Sequence, residues 1–216
     1  MVFAVRFAFF IFGLILFSLG IAITVNMQHL GLQPWDVLSV ALTNRFGLSF
    51  GTWSIIIGII LVCVAWILDR SYVKIGTFLN IIVIGLFVDL FLWLDFLPKE
   101  TNIFIDSIVI IVGTSIVGFA GGLYNAAGLG SGPRDGFVLS IAEKLNRSIS
   151  KVRIVIEITV VLIGFALGGP VFIFTFLLTF IQSPIFQYFY LKFREVIRRL
   201  DENHNKNLQR RVAKVK

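Results

Sequence analysis

The chain has 216 residues, 57% of them hydrophobic and 14% charged, with a mean hydropathy of +0.94 and a formal charge of +7. So much apolar surface excludes a soluble globular domain, and at roughly 20 residues per bilayer span the length allows about six spans and little else. The lone cysteine, Cys63, excludes an internal disulfide pair and reads as a small core residue, while His29 and His204 stand too far apart to suggest a metal cluster.

In chain order, Val2 to Val25 is apolar apart from Arg6 and longer than the apolar core of a signal peptide, so it reads as an uncleaved first helix. Pro34 then suits the first turn of a helix, where its missing N–H costs nothing. Asp36 falls near the third helical position, where a carboxylate can reach back to the N-cap amide and meet the positive end of the helix dipole. This helix, Pro34 to about Phe46, is too short to span and is expected to be re-entrant or interfacial. Thr52 to Leu68 is the second span, Asp69-Arg70-Ser71 a tight polar turn, and Val73 to Leu97 the third span, with Asn80 and Asp89 inside it. Ile103 to Ala127 is the fourth, closing in small residues from Gly118 to Gly122 that permit close helix approach and suit a homodimer contact. A second short helix runs from Pro133 to about Leu145. Val152 to Leu167 is the fifth span, carrying Arg153 and Glu157; Gly168-Gly169-Pro170 breaks the chain; Val171 to about Leu191 is the sixth. The tail is expected to be helical at first and mobile from Asp201 on.

The two short helices open on one repeated phrase. Leu30-Gly31-Leu32-Gln33-Pro34-Trp35-Asp36 and Leu129-Gly130-Ser131-Gly132-Pro133-Arg134-Asp135 share a frame at an offset of 99, which also pairs Asn26 with Asn125 and Ser49 with Ser148. A third block pairs Val73 to Leu79 with Val171 to Leu177 at an offset of 98. Three blocks in one order argue for an internal duplication, with a first repeat over 1–98, a second over 99–191 and a basic tail over 192–216. With both termini in the cytoplasm and six spans, 17 Lys/Arg fall on the inner side and only Arg45 and Lys99 on the outer. Three spans per half is an odd number, so the halves take opposite orientations. The expected fold is an all-α integral membrane protein of six transmembrane helices in an inverted 3+3 repeat, each half with a short non-spanning helix at its G-x2-P-x-D motif.

The phrases G-L-Q-P-W-D-V-L and G-S-G-P-R-D-G, with Phe50-Gly51-Thr52-Trp53-Ser54-Ile55-Ile56 and Leu167-Gly168-Gly169-Pro170-Val171-Phe172, resemble the YczE/YyaS/YitT family of bacterial multi-pass membrane proteins, and more closely its YczE-like branch. The resemblance runs from the first helix to about Pro184. It implies a multi-pass protein of the bacterial inner membrane with no established catalytic site or substrate. A few members are associated with export or production of secondary metabolites.

Several residues are candidates for a polar site. Asp36 and Asp135 either cap their short helices or mark two helix N-termini aimed at one shared ligand. Arg134 stands where the first copy has Trp35, which suggests a charge switch on one motif and an aromatic lid on the other. Arg153 and Glu157 are four residues apart on one helix face, so they form either a structural ion pair or an exchanging proton or cation site with Arg134 as competitor. Asp89 has no basic residue one turn away and its repeat counterpart is Gln187; it serves either a polar cavity, as a proton carrier, or helix–helix hydrogen bonding. Asn26 and Asn125 satisfy carbonyls of the broken helices or bind substrate. Gly31, Pro34, Gly130 and Pro133 form the structural frame of the motifs.

No nucleophile–base constellation, phosphate-cradling loop or metal-binding spacing is present, so neither an enzyme nor a cofactor or metal is expected. The leading expectation is a small secondary transporter or permease-like protein, proton-coupled, acting on an unknown small-molecule substrate. The alternative is a non-catalytic membrane scaffold or accessory protein that supports an exporter or biosynthetic enzyme. The tail from Lys192 on holds nine Lys/Arg against three Asp/Glu, which following a span suits anionic lipid rather than nucleic acid.

Overall fold

The computed structural model describes residues 2–68, 73–94, 96–147 and 149–215; the Asp69–Ser71 turn and Ser148 lie outside the described residues. All secondary structure among them is helical. The helices are α1 (Val2–Asn26), α2 (Pro34–Phe46), α3 (Phe50–Leu68), α4 (Ile75–Trp93), α5 (Ile103–Ala126), α6 (Pro133–Lys144), α7 (Ile149–Ala166) and α8 (Ile173–Val215), with a 3-10 turn at Gln28–Leu30. Both short motif helices start at their proline, and α2 ends at Gly47, whose positive φ of 73° closes the helix.

Five helices, α1, α3, α4, α5 and the Ile173–Glu202 part of α8, are long and apolar enough to cross a membrane. The expected fifth span corresponds to α7, which has 18 residues and carries Lys151, Arg153 and Glu157; by length and composition it does not join the five. The tail, expected to be helical at first, is helical beyond Asp201 as well: α8 is one helix of 43 residues through Pro184 to Val215. Ion pairs at helical spacing, Arg198 to Glu195 and Glu202 and Arg199 to Glu195, run along it. Asp201 is also held by Arg6 at the start of α1.

The architecture hangs on α1 and α5, which cross antiparallel over most of their length. Arg6 near the start of α1 donates to the Ala127 carbonyl just past α5 (3.1 Å), and Asn26 at the end of α1 donates to the Pro98 carbonyl just before α5 (3.3 Å). Glycines let the backbones meet between those ends: Gly13 lies against Ala120 and Tyr124, and Gly113 against Ile23 and Thr24. α4 packs on α1, and α8 packs on α5. The short helices cross over: α2 packs on α7 and α6 packs on α3.

The motif glycines repeat this reciprocity at atomic detail. Gly31 seats against Thr175 at the start of α8, where a Cβ would stand 2.9 Å from the Thr175 nitrogen. Gly130 seats against Thr77 at the start of α4, where a Cβ would stand 2.6 Å from the Thr77 nitrogen. Each threonine caps its helix in the same way: Thr77 Oγ1 accepts from the Lys74 N–H (3.3 Å) and Thr175 Oγ1 from the Phe172 N–H (3.2 Å). Gly31 has a second constraint in its φ of +116°.

Gly130→Ala and Gly31→Ala are each expected to destabilise the protein by about 1–3 kcal/mol, with Gly31→Ala the worse because its backbone conformation is also strained. Thermal unfolding in detergent checks the order; a neutral Gly130→Ala would contradict the packing described.

Candidate functional site

The crossing helices leave a cavity of about 420 Å³ between the two halves, and all eight helices contribute to its wall. That size suits a small ligand. Two surfaces face each other across it. The first half supplies Gln33, Trp35, Ser54 and Asn80; the second supplies Tyr124, Arg134, Asp135, Arg153 and Glu157, with Gln182, Ser183 and Gln187 from α8.

Charge is organised from the tips of the short helices. Asp36 is fully buried, and Arg134 Nη2 donates to its Oδ1 at 3.0 Å, joining the N-terminal turn of α2 to that of α6. Asp36 Oδ2 is buried with no hydrogen-bond partner. The Arg134 guanidinium also lies over the Trp35 ring, 5.7 Å from its centroid. Asp135 is then met from α7, where Arg153 Nη2 donates to its Oδ1 at 2.6 Å. A fully buried carboxylate without a countercharge costs several kcal/mol, so the Arg134 contact is the condition for burying Asp36 at all.

Two sequence expectations are corrected here. Neither motif aspartate caps its own helix: Gln33 precedes α2 without a side-chain cap, and both carboxylates take guanidiniums instead. An arginine fork offers a charged, directional partner, which a buried carboxylate favours over a single amide. Nor does Arg153 pair with Glu157 one turn on; it reaches across to Asp135, and Glu157 is left half-buried on the cavity wall without a hydrogen bond to any described residue.

Of the two readings of Asp89, the structure shows helix–helix hydrogen bonding. The residue is not isolated and does not line the central cavity. Its Oδ1 accepts the Gly51 N–H at 2.7 Å and its Oδ2 accepts from Ser49 Oγ, so it caps the start of α3 from the neighbouring α4. Its counterpart Gln187 does line the cavity. Asn125 Nδ2 donates to the Gly121 carbonyl in its own helix (2.9 Å), and Asn26 ties α1 to Pro98; both bonds go to backbone. Gly31, Pro34, Gly130 and Pro133 frame the loops that bring the two helix tips together.

Sequence reading passed over Gln33, Tyr124, Gln182 and Ser183. The signal for the α8 pair was a polar dipeptide inside an apolar span. His29, weighed in the sequence only against His204, has its ring nitrogens 3.0 Å from Glu100 and 3.1 Å from Asp106 beside the first motif loop. Among the described residues no group of His, Cys, Asp and Glu could hold a metal ion.

A family model described as a family of unknown function, DUF6198, matches residues 4–191. The chain belongs to that family. It is 34% identical over 184 residues to the "Uncharacterized membrane protein YczE" of Bacillus subtilis (strain 168), covering 85% of this chain and 84% of the relative. It is 34% identical over 181 residues to an "Uncharacterized protein" of Haemophilus influenzae (strain ATCC 51907 / DSM 11121 / KW20 / Rd), covering 83% and 80%. The "Uncharacterized protein YyaS" of Bacillus subtilis (strain 168) is 27% identical over 176 residues, covering 80% and 86%. No solved structure matches. The family match, the YczE-like relatives and the apolar helices together identify a multi-pass membrane protein. The match ends at residue 191, so it takes in both motifs and every residue of the cavity wall but not the tail.

Arg134→Leu strands Asp36 and is expected to cost about 3–5 kcal/mol; adding Asp36→Asn should recover more than half of the lost thermal stability. If the double variant is no better than the single one, the pair is not what holds the helix tips. Asp89→Asn is expected to cost about 1 kcal/mol as a lost helix cap, again read from thermal unfolding in detergent. A loss several times larger would point to a role beyond capping.

Proposed function

We propose that this protein is a small secondary transporter of the bacterial inner membrane, built as six spans in an inverted 3+3 repeat with both termini cytoplasmic, and working by alternating access about the central cavity. α7 serves as the sixth span. Its charged residues Arg153 and Glu157 face the cavity, while Ile154, Val155, Ile158, Leu162, Ile163 and Phe165 are exposed and suit lipid.

The observation that carries the reading is the inequality of two equivalent seams. In the first half α3 lies against α4, with Gly51 and Gly85 at the contact and Gly58 against Ile81. In the second half the corresponding α7 does not pack on α8 in this way. One seam shut and its counterpart open is one access state of a carrier made of two like halves; exchanging the two conformations generates the other.

A second reading, an accessory protein docked through its tail, is favoured by the continuation of α8 beyond the matched family region as a basic helix. Such a protein tolerates Glu157→Gln and fails on truncation near Leu200. Pulsed dipolar spectroscopy separates the two readings, using Cys63→Ser protein labelled at one pair across α3–α4 and another across α7–α8. A transporter populates two distances at each seam in opposite proportions. A single fixed distance at both seams would remove the alternating-access reading.

A further inference from the structure

Formal charge around the cavity leaves a remainder. Two guanidiniums, Arg134 and Arg153, face three carboxylates, Asp36, Asp135 and Glu157. Asp36 and Asp135 have taken the guanidiniums. The charged and titratable groups around Glu157 are Arg153 on its own helix, Asp135 and Arg134 on α6, Tyr124 on α5 and Tyr190 on α8. Both cations in that set are already committed. A half-buried carboxylate among apolar helices is stabilised by acquiring a cation or a proton.

The rest of the wall is complementary to an organic cation. Trp35, Tyr124, Phe186 and Tyr190 supply aromatic surface, which attracts cations through the ring quadrupole. One further side chain on the wall has an unmet hydrogen-bond donor: Gln33 Nε2 is buried without a partner among the described residues, in a residue only 7% exposed. Buried donors are costly to leave unsatisfied, and an acceptor on a bound molecule meets that need.

The repeat adds an independent argument. The offset of 99 that relates the motifs pairs Glu157 with Gly58. Gly58 is where α3 lies against Ile81 of α4 at the cavity edge, and a Cβ there would stand 3.0 Å from the Ile81 side chain, which would have to shift to admit it. At the same register α7 carries a carboxylate, and α7 stands off α8. A charged carboxylate does not enter an apolar helix–helix seam, whereas a neutralised one can.

We infer that the cavity binds a small organic cation bearing a hydrogen-bond acceptor, an amine or quaternary ammonium compound, in exchange for a proton on Glu157. The proton leaves Glu157 for the water of the open cavity and the cation takes its place, so one positive charge replaces another. Either occupant neutralises Glu157 and permits α7 to close on α8; an empty, ionised Glu157 holds the seam open. The inference rests on the transport reading for its coupling logic, but the binding step is measurable without flux.

Three probes of similar size and different charge test it on the purified full-length protein in detergent: benzyltrimethylammonium, benzyl alcohol and benzenesulfonate. Calorimetry is expected to show the cation binding, more weakly at about pH 6 than at about pH 8, with about one proton released per cation in weakly buffered solution. The neutral and anionic probes should bind at least about tenfold more weakly. Glu157→Gln should lose the proton release and weaken cation binding at least about tenfold, while Glu157→Asp, as the conservative control for folding, retains both. Tighter binding of benzenesulfonate or benzyl alcohol, no cation binding at either pH, or cation binding that Glu157→Gln leaves unchanged would each overturn the proposal. Proteoliposomes keep the two failures apart. Cation binding with proton release but no proton-driven cation flux removes transport and leaves the site standing. Proton-linked flux of benzenesulfonate keeps transport and overturns the cation site.

Discussion

A carboxylate with none of its surface exposed has to be met by positive charge before the surrounding chain can close over it. Asp36 is such a group, and among the described residues the guanidinium hydrogen-bonded to it belongs to Arg134, on the other short helix. This contact brings the tips of α2 and α6 together. It seats Arg134 on Trp35, leaves Asp135 to be met by Arg153, and so draws α7 to the same centre. The cavity is therefore assembled from the inside, by charges that cannot be left alone in an apolar interior.

Close backbone approach makes that meeting possible. Gly31 and Gly130 each fit against the first turn of the last helix of the opposite half, and neither seat admits a side chain. The glycines of α1 and α5 do the same along the central crossing. In lipid, where apolar side chains gain nothing by leaving one apolar environment for another, such close approach is a main source of helix association. The polar contacts then select one register among the many that small residues alone would allow.

Part of this arrangement was legible in the sequence. The motif offset foretold two like short helices, and the start of α2 and α6 at Pro34 and Pro133 follows from proline chemistry alone. The partners of the charged residues were harder to read. Arg153 and Glu157 share a helix face, and nearest-neighbour reasoning pairs them, but a long guanidinium side chain reaches whichever carboxylate the tertiary fold presents, which is Asp135. Asp89 looked isolated because helix spacing surveys only one helix; its actual partners, Ser49 and Gly51, come from the chain segment about forty residues earlier. Gln33, Tyr124 and Gln182 were invisible for the opposite reason. Each is an ordinary residue on its own element, and only the convergence of eight helices makes them one surface.

The separation of Asp36 from Arg134 by 98 residues also has a consequence for synthesis. At ordinary elongation rates of about 5–20 residues per second, the carboxylate emerges about 5–20 s before the guanidinium that will neutralise it. During that interval α2 lacks its charge partner and α7, the helix it packs against most, because both belong to the half still being made. Until the second half is made, burying Asp36 would carry the full cost of an unpaired carboxylate. The ribosome's timetable, as much as the finished contacts, decides when this protein acquires an interior.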